Sequence, residues 1–263
     1  PNEIAAVILE PATTLVPCSS LCDKTMTAKT RCNVCPNRSK NFLHQVQKLC
    51  QAEGALFILD EIITGFRWAL EGAHYYFDVQ PDLMTFGKGM ANGFSVAALT
   101  GRREVMDVGS TNKPGMERTF LLSSTYGGEM CGLGAFIETM KIYREKDVCS
   151  HLWDYGARLR DGLVALSKEN GISDYFQIDG PGICLNYITK DNSGVASMKF
   201  RTLFSQEMVK QGVLMPWIAV SLEHGDQELD MTLSAARKAL KVYSDALSSS
   251  IEKYLVGPEV KPV

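Results

Sequence analysis

The chain of 263 residues is long enough for one large domain or two modest ones, and for a real core. With 45% apolar and 22% charged residues its composition is that of a globular protein, and a formal net charge of −3 supplies no basic field for nucleic acid. Apolar runs such as Ala5 to Leu9, Ala55 to Leu59 and Val96 to Leu99 are far too short to span a bilayer. The chain opens on Pro1 and leads at once into a strand-like Ile4 to Leu9, which reads as a piece of something longer. A polar, cysteine-bearing stretch follows. Phe42, Leu43, Val46, Leu49 and Cys50 then fall at helical spacing, with Gly54 as the stop. Ala55 to Leu59 predicts a buried strand ending at Asp60–Glu61. Leu83 to Phe86 predicts another ending at Gly87–Lys88–Gly89, and Ser95 to Thr100 a third. Strands separated by helices argue for a mostly parallel α/β sheet with helices on both faces.

Helices are expected from about Glu129 to Tyr143, carrying Met130, Leu133, Ile137 and Met140 on one face, and from about Ser150 to Glu169, with Leu152, Leu159, Leu163 and Leu166 inward. Tyr175 to Ile178 and Ile183 to Ile188 alternate like strands. A helix from Ser197 to Lys210 follows, then short strands at Val213 to Trp217 and Ala219 to Leu222. The last helix is capped by Asp226. This gives a partial large domain over 1–146, a smaller α+β domain over 147–257 and a Pro-containing tail over 258–263.

Ligands of parallel α/β sheets bind at the carboxyl ends of strands. Asp60 and Lys88 stand at two such ends. A partly desolvated lysine forms Schiff bases with carbonyls, and a carboxylate can keep a pyridine nitrogen protonated, so that the ring becomes an electron sink. Spacing alone does not separate this pair from a solvated surface lysine and a capping aspartate. The glycines of Gly87–Lys88–Gly89 and Gly93 do not match a dinucleotide fingerprint, because the last gap is three residues and a lysine divides the first pair.

The surrounding residues are more specific. Leu59–Asp60–Glu61–Ile62–Ile63–Thr64–Gly65–Phe66–Arg67 resembles the DE-[VI]-x-TGFR signature of class III aminotransferases. Pro81 to Gly89 resembles their PD-[LI]-x-x-x-GK-x segment. Glu10–Pro11 and Val96 to Met106 are also similar to the family's pattern, in the same order and with the same gaps. The resemblance runs from end to end apart from about Cys18 to Lys40, and is closest to the glutamate-1-semialdehyde aminomutase branch and its amino-sugar relatives. It implies a fold-type-I enzyme that uses pyridoxal 5′-phosphate (PLP), acts on a small-molecule amino donor and a carbonyl acceptor, and is a cytoplasmic homodimer at full length. Lys88 is implied to hold the cofactor as a Schiff base and then to shuttle a proton. Asp60 is implied to pair with the pyridine nitrogen, Ile62 to pack on the ring, Glu10 to lie near the site, and Thr125 to donate to the cofactor phosphate across the dimer. One departure falls there: Glu129–Met130 replaces the family's usual Asn-Pro, which weakens the Thr125 role and points to a difference in substrate.

Cys18, Cys22, Cys32 and Cys35 have the spacing C-x3-C-x9-C-x2-C, in an insertion of about twenty residues spanning 18–40. The short gaps suit a tetrahedral zinc site. Free thiols, one or two disulfides and a cluster-type site are the other readings. The family's N-terminal part, with its phosphate-binding turn and ring-stacking aromatic, is not seen before Pro1, so the chain is expected to be the C-terminal portion of a longer enzyme that binds PLP poorly by itself. The expected activity is transfer of an amino group. The alternatives are an intramolecular 2,1-aminomutase of the glutamate-semialdehyde type, an amino-sugar aminotransferase, and a non-catalytic, zinc-stabilised interaction subunit that keeps the fold.

Overall fold

The computed structural model describes residues 3–18, 26–29, 40–110, 113, 115 and 127–261. By its internal contacts the chain divides into two compact units, Pro1–Ser150 and His151–Val263.

The first unit is built on a four-stranded sheet in the order β1 (Ala6–Leu9), β2 (Leu56–Asp60), β3 (Leu83–Phe86), β4 (Ala98–Gly101). β1, β2 and β3 are parallel, and β4 runs antiparallel to β3. Among the described residues nothing pairs with the outer side of β1, and Ile8 on that edge is 61% exposed. β2 alternates as a strand must: Phe57 and Leu59 are fully buried, while Leu56, Ile58 and Asp60 lie half-buried on the opposite face. The segment Ser95–Ala97, expected as strand, is not paired. Val96 instead packs on Gly132, where a Cβ would sit 2.6 Å from the Val96 methyl.

Helix α1 (Phe42–Glu53) starts where the Asn41 side chain accepts from Leu43 N at 2.8 Å and stops at Gly54, whose φ of 69° only glycine adopts cheaply. His44, a surface position by pattern, is buried, and its Nε2 donates to the Phe77 carbonyl at 2.9 Å. The chain on either side of the cysteine-rich stretch meets itself: Phe42 N donates to the Pro17 carbonyl at 2.8 Å, and the Asn41 amide to Cys18 Sγ at 3.3 Å. Helix α2 (Ala73–Phe77) is too short for its periodicity to be read, and it is held by aromatic packing of Trp68, Tyr76 and Phe77 at centroid distances of 4.8–5.2 Å. After α3 (Arg103–Met106), α4 (Met130–Lys146) and α5 (Val148–Glu169) follow. Met140 of α4 is buried, whereas Met130 and Ile137 on the same helix are exposed.

The second unit joins α5 to the antiparallel pair β5 (Phe176–Asp179) and β6 (Asn186–Thr189), with α6 (Met198–Lys210) and α7 (Asp226–Leu247). Its core is aromatic: Phe176 packs on Tyr187, Phe204 and Tyr243 at centroid distances of 4.7–6.0 Å, and Tyr187 on Phe204 at 5.2 Å. The buried Tyr243 hydroxyl is anchored on the Lys190 backbone, accepting from its N–H at 3.0 Å and lying 2.7 Å from its carbonyl. Burial pushes this phenol well above the ordinary range. Three expectations need correction here. Residues 213–217 and 219–222 form no strand; in the first of them side chains take up a carbonyl that a ladder would use, where Tyr187 Oη donates to Pro216 O at 2.7 Å and Arg201 donates to the same oxygen at 2.9 Å. β6 begins only at Asn186, after a turn closed by Cys184 N to Pro181 O. The cap of α7 is Gly225, whose N–H is taken by the Glu228 carboxylate at 2.9 Å, and Asp226 is its first helical residue. Trp153, like Trp68 in the first unit, is buried packing, but Trp217 is 65% exposed and packs no core. No helix among the described residues is long and apolar enough to cross a membrane.

Candidate active site

Parallel pairing of β1, β2 and β3 brings their carboxyl ends to one edge of the first unit. Leu9 pairs with Leu59, and Asp60 with Thr85. Glu10, Asp60 and Lys88 therefore leave the sheet along the same edge, the first and last exposed and Asp60 half-buried. This is the rim at which open α/β sheets bind ligands.

Among the described residues, Asp60 is held by one oxygen only. Its Oδ1 accepts from the Ile62 backbone N–H at 3.0 Å, closing a local turn, and from the Thr85 hydroxyl at 2.9 Å across the strand pair. Oδ2 takes no donor among the described residues. The carboxylate is thus oriented by two neutral donors and keeps one oxygen for something else. The Ile62 side chain folds over the turn before Lys88, with its Cγ2 methyl and Cγ1 methylene 3.6 and 3.8 Å from where a Gly87 Cβ would stand.

Lys88 follows β3 in a single 3-10 turn, Lys88–Met90, at φ 42°. A side chain in the left-handed region costs on the order of 1 kcal/mol or more and persists only where the surroundings fix it. Phe66 at φ 62° and Asn92 at φ 45° are in the same region, so three strained residues lie on the two loops that leave β2 and β3. Phe66 is fixed by its ring, which packs on Phe86 at 5.5 Å and on Phe136 and Tyr143 of α4 at 6.4 and 6.3 Å. Its carbonyl receives the Cys149 thiol at 3.7 Å. Burial, with Asp147 and Glu71 nearby, pushes that thiol up to about 12 against the pull of Arg67, so it stays neutral and serves as packing. Gly65 is obligatory for this arrangement, because a Cβ there would fall 2.6 Å from the Phe86 ring.

Glu61, the neighbour of Asp60, was given no role by sequence reasoning, yet it fixes the whole loop. It is fully buried, and its carboxylate accepts four bonds: from Thr64 Oγ1 at 2.7 Å, Ala73 N at 2.8 Å, His74 N at 2.7 Å and His74 Nδ1 at 2.9 Å. Residues 61–74 close on themselves around this one side chain. Thr85 was also missed. The signal for both was present in the motif, in a second acid after Asp60 and a hydroxyl three residues before Lys88, but partners twelve or more residues apart are assigned only by the fold.

Thr125, and three of the four clustered cysteines (Cys22, Cys32 and Cys35), lie outside the described residues. Cys18 is half-buried against Asn41, and no group of three or more metal-ligating side chains occurs among the described residues, so nothing here supports zinc or the zinc-stabilised subunit.

A family model described as aminotransferase class-III matches residues 35–218. The chain is 33% identical over 210 residues to the glutamate-1-semialdehyde 2,1-aminomutase of Thermomicrobium roseum, covering 76% of this chain and 47% of that protein. It is 30% identical over 245 residues to the same enzyme of Alkaliphilus oremlandii, covering 91% and 53%. The chain thus spans about half the length of the curated relatives it matches. Among solved structures, the FumI protein of Sphingopyxis sp. MTA144, determined in its PLP internal aldimine form, superposes with a TM-score of 0.68 at 25% identity, covering 80% of this chain and 48% of that one. An omega-transaminase from Sphaerobacter thermophilus shares the fold with a TM-score of 0.69 at 21% identity, covering 93% and 52%. The α/β architecture, the residues gathered at the carboxyl edge of its sheet and the match over 35–218 together establish that the chain belongs to the class-III aminotransferase family.

Proposed function

We propose that this chain carries the lysine half of a PLP site and serves the transfer of an amino group between a small amino donor and an aldehyde or ketone. The observation that carries the reading is the Asp60 carboxylate, oriented through Oδ1 with Oδ2 taking no donor among the described residues, on the same sheet edge as Lys88 in its strained turn. These residues fit the cofactor: an anionic oxygen stands ready for a protonated ring nitrogen, and an exposed primary amine for an aldehyde. PLP, when bound, supplies an electron-withdrawing ring that stabilises negative charge on the substrate carbon.

The chain's own residues do the rest. Asp60 keeps the ring nitrogen protonated. Lys88 would hold the cofactor through its amine, and the same amine would move a proton at the substrate carbon. Ile62 packs on one ring face, and Glu10 lines the approach. Thr125 donates to the phosphate from a second copy of the protein, so the working form is a homodimer. Identity of 33% to an aminomutase favours a second reading, an intramolecular 2,1-shift of the amino group on a semialdehyde.

The two readings are separated by supplying PLP, a ¹⁵N-labelled amino acid donor and an unlabelled aldehyde acceptor. Amino transfer puts the label in the acceptor product. An aminomutase instead converts a semialdehyde with no donor and keeps its nitrogen. Bound PLP with neither product formed would contradict both.

A further inference from the structure

The proposed role of Asp60 depends on a carboxylate that can rotate about a single bond, and the structure identifies what stops it. The Ile62 N–H and the Thr85 hydroxyl approach the same oxygen, one from the loop after β2 and the other from β3. A single donor fixes a distance but leaves the plane of the carboxylate free. Two donors from separate elements fix its plane, and so the direction of Oδ2. Thr85 is well placed to do this, because it is the registered partner of Asp60 in the parallel pair, and its own carbonyl accepts from Glu61 N at 2.9 Å. One residue thereby grips both the side chain of Asp60 and the backbone that follows it. The hydroxyl sits on a β-branched side chain within a strand, where χ1 is stiff, so the donor is pre-aimed.

We propose that Thr85 is a positioning residue for the cofactor's ring nitrogen. It acts through Asp60 and fixes the direction of Oδ2, the oxygen that would face the ring nitrogen. This inference rests on the Asp60 reading above. Removing the hydroxyl without changing shape leaves a carboxylate anchored by Ile62 alone, free to swing its charge away from the ring.

The test uses the full chain loaded with PLP labelled with ¹⁵N in the ring, and compares the parent with Thr85→Val, Thr85→Ser and Asp60→Asn. The ring-nitrogen resonance reports protonation directly and independently of turnover. In Thr85→Val it is expected to move part of the way from the parent position toward that of Asp60→Asn, and PLP affinity is expected to fall about tenfold, the scale of one hydrogen bond to a charged group. Thr85→Ser restores both. A merely structural role would lower the melting temperature of Thr85→Val and leave the resonance at the parent position, which overturns the proposal while the Asp60 reading survives. If Asp60→Asn also leaves the resonance unmoved, the Asp60 reading fails and this inference falls with it.

Discussion

Asp60→Asn is expected to lower kcat for amino transfer by about 10²–10³-fold, the usual cost of removing one preorganised electrostatic partner of the reacting group. The substitution is nearly isosteric. The amide oxygen can still accept from Ile62 N and Thr85 Oγ1, so the turn after β2 keeps both bonds and the fold keeps its stability. What changes is the group at Oδ2, where an NH₂ donor replaces an anionic oxygen. A donor cannot hold a proton on a ring nitrogen, and the electron sink is lost. Steady-state kinetics alongside a urea titration separate the two effects. A large fall in kcat with an unchanged unfolding midpoint is the expected pair. Unimpaired turnover would remove Asp60 from the site.

The largest effect on stability is expected at Glu61. Glu61→Gln should cost about 2–4 kcal/mol, the scale for leaving one or two buried donors without an acceptor. The carboxylate serves four donors with two oxygens, and a glutamine can offer only one. Whichever way the amide turns, its NH₂ faces a backbone N–H, that of Ala73 or that of His74. Thr64 and the His74 ring can rotate or change tautomer, but the backbone cannot. The loop 61–74 carries Ile62 and the strained Phe66, so this variant should also bind PLP more weakly. Equilibrium unfolding in urea checks the first claim. A midpoint within error of the parent would mean that the four bonds are replaced by water at little cost.

Much of this site was legible in the sequence because it is local. Asp60 and Lys88 stand at the ends of short apolar runs, and strand ends in a parallel sheet are places where ligands bind. The positions of β2 and β3, and of the helices α1 and α6, follow from apolar runs and spacing that one window of residues contains. What stayed hidden depends on distant partners. Glu61 reads as a second acid in a motif until the fold brings Ala73 and His74 onto it. Thr85 reads as a strand filler until register sets it beside Asp60. The apolar runs 213–217 and 219–222 have the composition of strands. Tyr187 and Arg201 reach Pro216 from β6 and α6 and leave no ladder for the first of them to join. His44 reads as a surface helix residue until Phe77, thirty-three positions on, presents its carbonyl.

The measurement closest to the central claim is borohydride reduction of the chain supplied with PLP, followed by peptide mapping. The account predicts a visible absorption band that reduction removes, with the cofactor mass fixed on the peptide bearing Lys88 and absent in Lys88→Ala. Stable labelling of another lysine, or no label on Lys88 under conditions where PLP is bound, would contradict it.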